Sequence, residues 1–283
     1  MPPRINPTAR QVRLGTELRK LREAAGVTAR DTAARLSASH TQVSHIESGR
    51  FGISEERLRT LAAFYVCDDA DLVDALVAMA SERGKGWWEE YRGALVPQAL
   101  DLAELEHHAT YLRTLQVLHI PGILQTEDRV RAAFAYVNPD LPANELEAEV
   151  THRMRRREVI EREGAPAFEA VVHEAALRIK VGGVKSSRAQ LEHILALSER
   201  DNVTVRVIPF DVDDFAGAGF SMLYAGGAVS PLDTVQLDTA HGSIFLDAEA
   251  QLRKYRGLFD RIEASSLTAD ASRDFIHRIA RDM

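Results

Sequence analysis

The chain has 283 residues, 45% hydrophobic and 27% charged, a balance that belongs to folded globular proteins and excludes a disordered or fibrous chain. No run approaches the roughly 18–20 apolar residues of a membrane span, and Met1-Pro2-Pro3-Arg4-Ile5-Asn6-Pro7 lacks the apolar core of a secretory signal, so a cytoplasmic protein is expected. The net charge of −7 argues against nucleic acid only until it is divided: residues 1–50 hold nine Lys/Arg against four Asp/Glu, about +5, which leaves about −12 for the remainder.

From Thr8 to about Ala80 the pattern predicts five short helices. Leu14, Leu18, Leu21 and Ala25 recur at helical spacing, and Gly26 ends this first helix as a left-handed cap. Thr28, with Asp31 three residues on, opens a second helix whose Ala33 and Leu36 face inward. Ser37-Ala38-Ser39 breaks it, and Ser39 caps a third helix over 40–48 with Val43 and Ile46 buried and Gly49 as terminator. Ser54 starts a fourth helix, apolar at Leu58, Leu61, Ala62 and Tyr65, and residues 68–79 supply a fifth. The single cysteine, Cys67, has no partner for a disulfide or a thiolate metal site and is expected as a small buried hydrophobe.

Residues 81–86 are polar and glycine-bearing, which makes them the expected linker between a domain of residues 1–80 and one of residues 87–283. Trp87, Trp88 and Tyr91 are expected to staple the incoming chain onto the second domain, with ligand stacking as the alternative. Helical periodicity then covers 100–119 (Leu102, Leu105, Ala109, Leu112), 127–136, 145–161 and 188–197. Alternating or β-branched runs predict strands at 168–172, 203–208, 220–224, 234–238 and 243–246, the last two joined across Asp238-Thr239-Ala240-His241-Gly242. Helices resume at 249–262 and 271–281, so the second domain reads as α+β.

In a helix-turn-helix the second helix enters the major groove with its first residues at the base edges. With Val43 and Ile46 inward, the helical period turns His40, Thr41, Ser44, His45 and Ser48 outward, and all of them can hydrogen-bond. Periodicity alone leaves an ordinary solvated helical hairpin equally open. The segment Leu36-Ser37-Ala38-Ser39-His40-Thr41-Gln42-Val43-Ser44-His45-Ile46-Glu47-Ser48-Gly49-Arg50, and within it the run from Val43 to Gly49, resembles the recognition segment of the XRE class. These are five-helix, lambda-repressor-like DNA-binding domains of phage-repressor and Cro type, and the likeness covers about residues 10–80.

The resemblance implies a transcriptional regulator that binds double-stranded DNA; the chain is expected to be mainly α and, since one small recognition helix reads only a few base pairs, a homodimer. The resemblance also implies base reading by His40, Thr41 and His45, with Gln42 a further candidate and Ser39 opening the same helix. Phosphate contacts would fall to Thr28, Arg30 and Arg50, with Ser44 also in reach; helix N-termini and guanidinium groups suit phosphate oxygens. Three residues depart from the pattern. Ala29 stands where Gln often bridges phosphate and base, Thr32 where a core Leu is common, and Ser37 where the turn usually has Gly. The resemblance gives Glu47 a structural role. If His40 or His45 binds as imidazolium, DNA affinity should weaken between roughly pH 6 and 8; neutral His as a small polar reader is the alternative.

In the second domain Gly86-Trp87-Trp88-Glu89-Glu90-Tyr91, Ile120-Pro121-Gly122-Ile123-Leu124-Gln125-Thr126 and Asn202-Val203-Thr204-Val205-Arg206-Val207-Ile208-Pro209-Phe210 resemble the C-terminal domain of actinobacterial WhiJ-type, antitoxin-like regulators. That implies sensing of a partner protein or a small ligand, or, alternatively, neutralisation of a small partner protein with autoregulation. No enzyme, cofactor or metal is expected. His107, His108, His119, His152, His173 and His193 lack ligand spacing, Phe215-Ala216-Gly217-Ala218-Gly219-Phe220 lacks the Lys-Ser/Thr of a phosphate loop and reads as a turn, and Ser187, Ser221 and Ser243 lack a nucleophile setting. Arg153-Met154-Arg155-Arg156-Arg157 is expected as a salt-bridged solvent face, with Arg157–Glu161 as one i, i+4 pair.

Overall fold

The computed structural model describes residues 4–82, 86–213, 215–216, 219–239 and 242–283, which form thirteen α-helices and six β-strands. They divide into two compact units, Met1–Trp87 and Trp88–Met283. Of the expected linker, Arg83, Gly84 and Lys85 lie outside the described residues, as do Gly217 and Ala218 of the expected turn and Ala240 and His241 of the expected hairpin connection.

The first unit consists of α1 (Ala9–Ala24), α2 (Ala29–Arg35), α3 (His40–Glu47), α4 (Glu55–Phe64) and α5 (Ala70–Ser81). Reciprocal capping pairs open the first three: Thr8 with Gln11, Thr28 with Asp31 and Ser39 with Gln42. At the end of α1, Gly26 takes φ +66, its N–H donating to the Glu23 carbonyl and that of Val27 to Arg22. Leu18, Val43, Ile46, Leu58, Leu61, Tyr65 and Leu76 fill the core. Ala25 does not join them: it is the C-cap, already turning away, and is exposed. Cys67 is half-buried rather than buried, since it follows Val66, whose φ of 56 swings the chain out of α4.

Helices α1 and α3 cross in close contact. A β-carbon on Gly15 would lie 2.5 Å from the carbonyl oxygens of Ile46 and Glu47, so only glycine admits this approach. Thr32 is buried and its hydroxyl pairs with the Tyr65 hydroxyl at 3.0 Å, a polar bond standing in for apolar packing. The turn between α2 and α3 places Ser37 at φ 50, a conformation that glycine adopts without strain.

The second unit contains, in order, α6 (Pro97–His108), β1 (Tyr111–Gln116), α7 (Glu127–Val137), α8 (Ala143–Arg155), α9 (Glu158–Glu161), β2 (Ala167–His173), α10 (Glu174–Arg178), α11 (Gly183–Leu197), β3 (Val203–Ile208), β4 (Met222–Gly226), β5 (Thr234–Thr239), β6 (Gly242–Leu246), α12 (Glu249–Ala264) and α13 (Ala269–Asp282). One sheet runs β3-β2-β1-β4-β5-β6, with parallel pairing up to β1 and antiparallel pairing beyond it. On one face Leu112, Phe168, Val205 and Leu223 pack with Leu191, Ile194, Ile276 and Ile279 from α11 and α13. On the other, Leu115, Val171, Tyr224 and Val235 pack with Leu252, Phe259 and Ile262 of α12.

Three expectations are corrected here. The helix expected over 100–119 ends at His108, and β1 follows. Leu112 and Leu115 mimic helical spacing because β1 is central and buries both faces, one leucine entering each core. The helix expected over 145–161 breaks into α8 and α9 at Arg156-Arg157. The arginine cluster is not a solvent face: Arg156 grips the buried Glu106 carboxylate at 2.6 and 2.8 Å, and Arg157 donates to the Gln125 and Ile123 carbonyls at 2.5 and 3.4 Å. Arg155 alone behaves as expected, pairing with Glu90 at 2.7 Å. The staple is present in part, with Trp88 buried 5.0 Å from the His107 ring and Tyr91 5.1 Å from that of His152.

Candidate nucleic-acid interface

The exposed edge of α3 is built by its own cap and core. Val43 and Ile46 bind the helix to the first unit, which leaves His40, Thr41, Gln42 and Ser44 exposed and His45 half-buried. The capping pair uses part of this polar surface. Ser39 N–H donates to Gln42 Oε1 at 2.9 Å and Gln42 N–H to Ser39 Oγ at 3.2 Å, so Gln42 retains its amide nitrogen, and Ser39 its hydroxyl proton, for an outside partner. His45 stands edge-on to Phe51, ring centres 4.9 Å apart, and its carbonyl accepts the Phe51 N–H at 3.0 Å.

The structural role expected of Glu47 has its partner in Arg22, which sequence reasoning missed along with Arg57 and Arg4. Arg22 clasps Glu47 with Nε–Oε1 at 2.6 Å and Nη2–Oε2 at 3.1 Å, and its Nη1 reaches the Val27 carbonyl at 3.0 Å. One guanidinium thus ties the end of α3 to α1 and to the start of the α2 segment. Arg57 of α4 braces the turn between the two helices through the Leu36 carbonyl at 3.1 Å. Arg4 secures the chain after α3 through the Gly49 carbonyl at 3.0 Å. The sequence offered no local signal for the Arg22–Glu47, Arg57–Leu36 and Arg4–Gly49 contacts, whose partners lie 21 to 45 residues apart.

The structure also sorts the basic residues of this unit. Arg10, Arg13, Arg19, Lys20 and Arg22 are each committed to a carboxylate: Glu82, Glu17, Glu23, Glu17 and Glu47 respectively. Arg30, Arg35 and Arg50 are exposed and carry no ion pair among the described residues. Arg30 and Arg35 lie in the first and last turns of α2 and Arg50 follows α3, so two of them are the phosphate candidates named from sequence and Arg35 is a third. Thr28 is exposed, but its hydroxyl donates to Asp31 Oδ2 at 2.5 Å while accepting the Asp31 N–H. Those Thr28 hydrogen bonds hold the Asp31 carboxyl below its ordinary range, so an anion already caps the N-terminus of α2.

A five-helix unit that presents α3 in this way defines a helix-turn-helix DNA-binding protein. The family of helix-turn-helix domains matches residues 13–76. The chain belongs to the family defined by a domain of unknown function, DUF5753, which matches residues 99–278 and thus most of the second unit. No curated protein and no solved structure matches the chain.

Proposed function

We propose that the chain is a sequence-specific transcriptional regulator of the XRE class that acts in the cytoplasm as a homodimer and whose second unit senses a signal by binding, without catalysis. The observation that supports this reading is the edge of α3, where His40, Thr41 and Ser44 are exposed, as are Arg30 on α2 and Arg50 just after α3. A recognition helix of this size touches few base pairs, and two-fold pairing doubles the site, with half-sites about one helical turn, roughly 34 Å, apart. Of the signals a WhiJ-type regulator could receive, the large cavity of the second unit favours a small ligand over a small partner protein.

Binding-site selection with the full chain, followed by mapping across a genome, tests the regulator reading. His40→Ala or Thr41→Ala should relax the selected motif. Arg30→Ala or Arg50→Ala should weaken all duplexes alike and lower the slope of log K against log salt by about one. Equal loss of motif from both groups would contradict the assignment. A small protein that co-purifies in fixed ratio and blocks DNA binding would favour the antitoxin-like role.

A further inference from the structure

Helices α11 and α13 cover the parallel half of the sheet on one face. On the same face of the antiparallel half, roofed by α6, α7 and α8, lies a cavity of about 1070 Å³, large for a ligand site. Its polar groups gather at two places. On the floor, Gln236 Nε2 donates to Asp238 Oδ1 at 2.6 Å and Ser243 Oγ at 2.9 Å, and Ser243 donates to Asp238 at 3.0 Å. With its nitrogen so engaged, the Gln236 carbonyl oxygen is the acceptor left for an incoming donor.

The second place is on α8. Arg156 is spent on Glu106, whose side chain is 2% exposed. Arg153, which also lines the cavity, forms no ion pair among the described residues. Its guanidinium lies over the Phe134 ring, 4.8 Å from the centre, and its one hydrogen bond among those residues is a 3.5 Å contact to Gln125 Oε1. Burial, and then Arg156, push this group down to about 10, which leaves it a cation at neutral pH. Glu149, one turn earlier, is raised by burial and lowered in turn by Arg153; it, Asp238 and Glu106 act on the guanidinium without reaching ion-pair distance. A half-buried guanidinium that lines the cavity with so few acceptors at hydrogen-bond distance can take an anion, and its planar fork matches a carboxylate. Between the two polar places the wall is apolar at Leu102, Ile123 and Leu223, and the lining residues Leu118 and Val137 stay 54% and 70% exposed.

We propose that this cavity binds a small amphipathic carboxylic acid, its carboxylate on Arg153, its apolar body along Phe134, Leu102 and Leu223, and a hydroxyl or amide donor on Gln236. A monoanion fits better than a phosphate dianion, since Glu149 and Asp238 share the chamber. The inference deepens the sensing reading above and rests on it for its regulatory meaning, not for the binding itself.

Calorimetric titration of the full chain with a panel of amphipathic acids of about 10–20 non-hydrogen atoms, each beside its primary amide and its amine, tests this. At least one acid should bind once per chain, about tenfold or more tighter than its amide, and Arg153→Gln should erase that preference. Val137→Trp, at the exposed rim, should block the acid without moving the melting temperature, which keeps the test open if Arg153→Gln unfolds. Failure of every acid, equal binding of acid and amide, preference for the amine, or unchanged binding by either folded variant overturns the proposal. A chain that selects a duplex but takes no acid loses only the ligand; one that takes an acid but selects no duplex loses only the regulator reading.

Discussion

Helices α3 and α8 both carry polar side chains on nearly every turn and use them in opposite ways. On α3 only Val43 and Ile46 are buried, and His40, Thr41 and Ser44 face solvent with few bonds of their own. On α8 His152 is buried, Arg153 lies over an aromatic ring, and the adjoining Arg156 is locked to Glu106. What differs is whether the fold brings partners to the helix. A polar group that finds hydrogen bonds can be buried, whereas one that finds none must stay in water or await a ligand. The first arrangement suits reading a large polymer from outside, the second enclosing a small molecule.

The comparison breaks most sharply at Glu106. Its removal leaves the Arg156 charge buried without a counter-ion, so Glu106→Ala should cost about 3–5 kcal/mol in urea unfolding of the second unit. Pairing Glu106→Leu with Arg156→Met should recover most of that loss. No such coupling is expected on α3, where truncating Thr41 or Ser44 should move stability by less than about 0.5 kcal/mol. If Glu106→Ala were as mild, the buried ion pair would not be the feature that separates the helices.

Acid should distinguish them next. Burial first, then Arg156 and Arg153, hold the His152 imidazole down to about 3, against about 6.5 in an unfolded chain. The folded state therefore prefers the neutral ring. Stability from this group is complete above pH 6.5 and is lost as the pH falls toward 3, on the order of 2 kcal/mol of it by pH 5. Urea midpoints at pH 7 and pH 5 measure the loss, and His152→Gln should flatten it. A His152→Gln chain with the full acid sensitivity would assign the effect to other groups.

The first unit was legible because its signals are local. Thr28 with Asp31, Ser39 ahead of His40, and the stops at Gly26 and Gly49 each act within a few residues, so caps and turns stand where the pattern puts them. In the second unit β1 was hidden, since a strand buried on both faces loses its alternation. The arginines of α8 read as solvated because Glu106 is 50 residues from Arg156, and nothing near 153–157 announces it. The cavity floor was hidden for a related reason: Gln236 looks like the wet side of a strand and is instead buried beneath helices, and Thr114 lies on the strand that was read as helix. At the exposed edge of α3 the residues could be read directly, but Phe51 against His45 and Arg57 under the turn required the fold.

The smallest expected effects return to the first unit and separate its stability from its reading of DNA. Val66 and Ser37 end α4 and α2 in the left-handed region, at φ 56 and φ 50. A β-branched residue is strained there more than serine, and glycine removes the strain while adding freedom to the unfolded chain. Val66→Gly should thus stabilise the unit by about 1 kcal/mol and Ser37→Gly by about 0.5 kcal/mol, read as a rise in thermal midpoint. Ser37 lies in the turn that aims α3, so its result says more. If that turn only connects the helices, Ser37→Gly raises the midpoint and leaves the selected DNA motif intact, the opposite pattern to His40→Ala. A stabilised chain with an altered motif would instead mean that the strained turn sets the angle of α3, and that reading is not confined to its exposed edge.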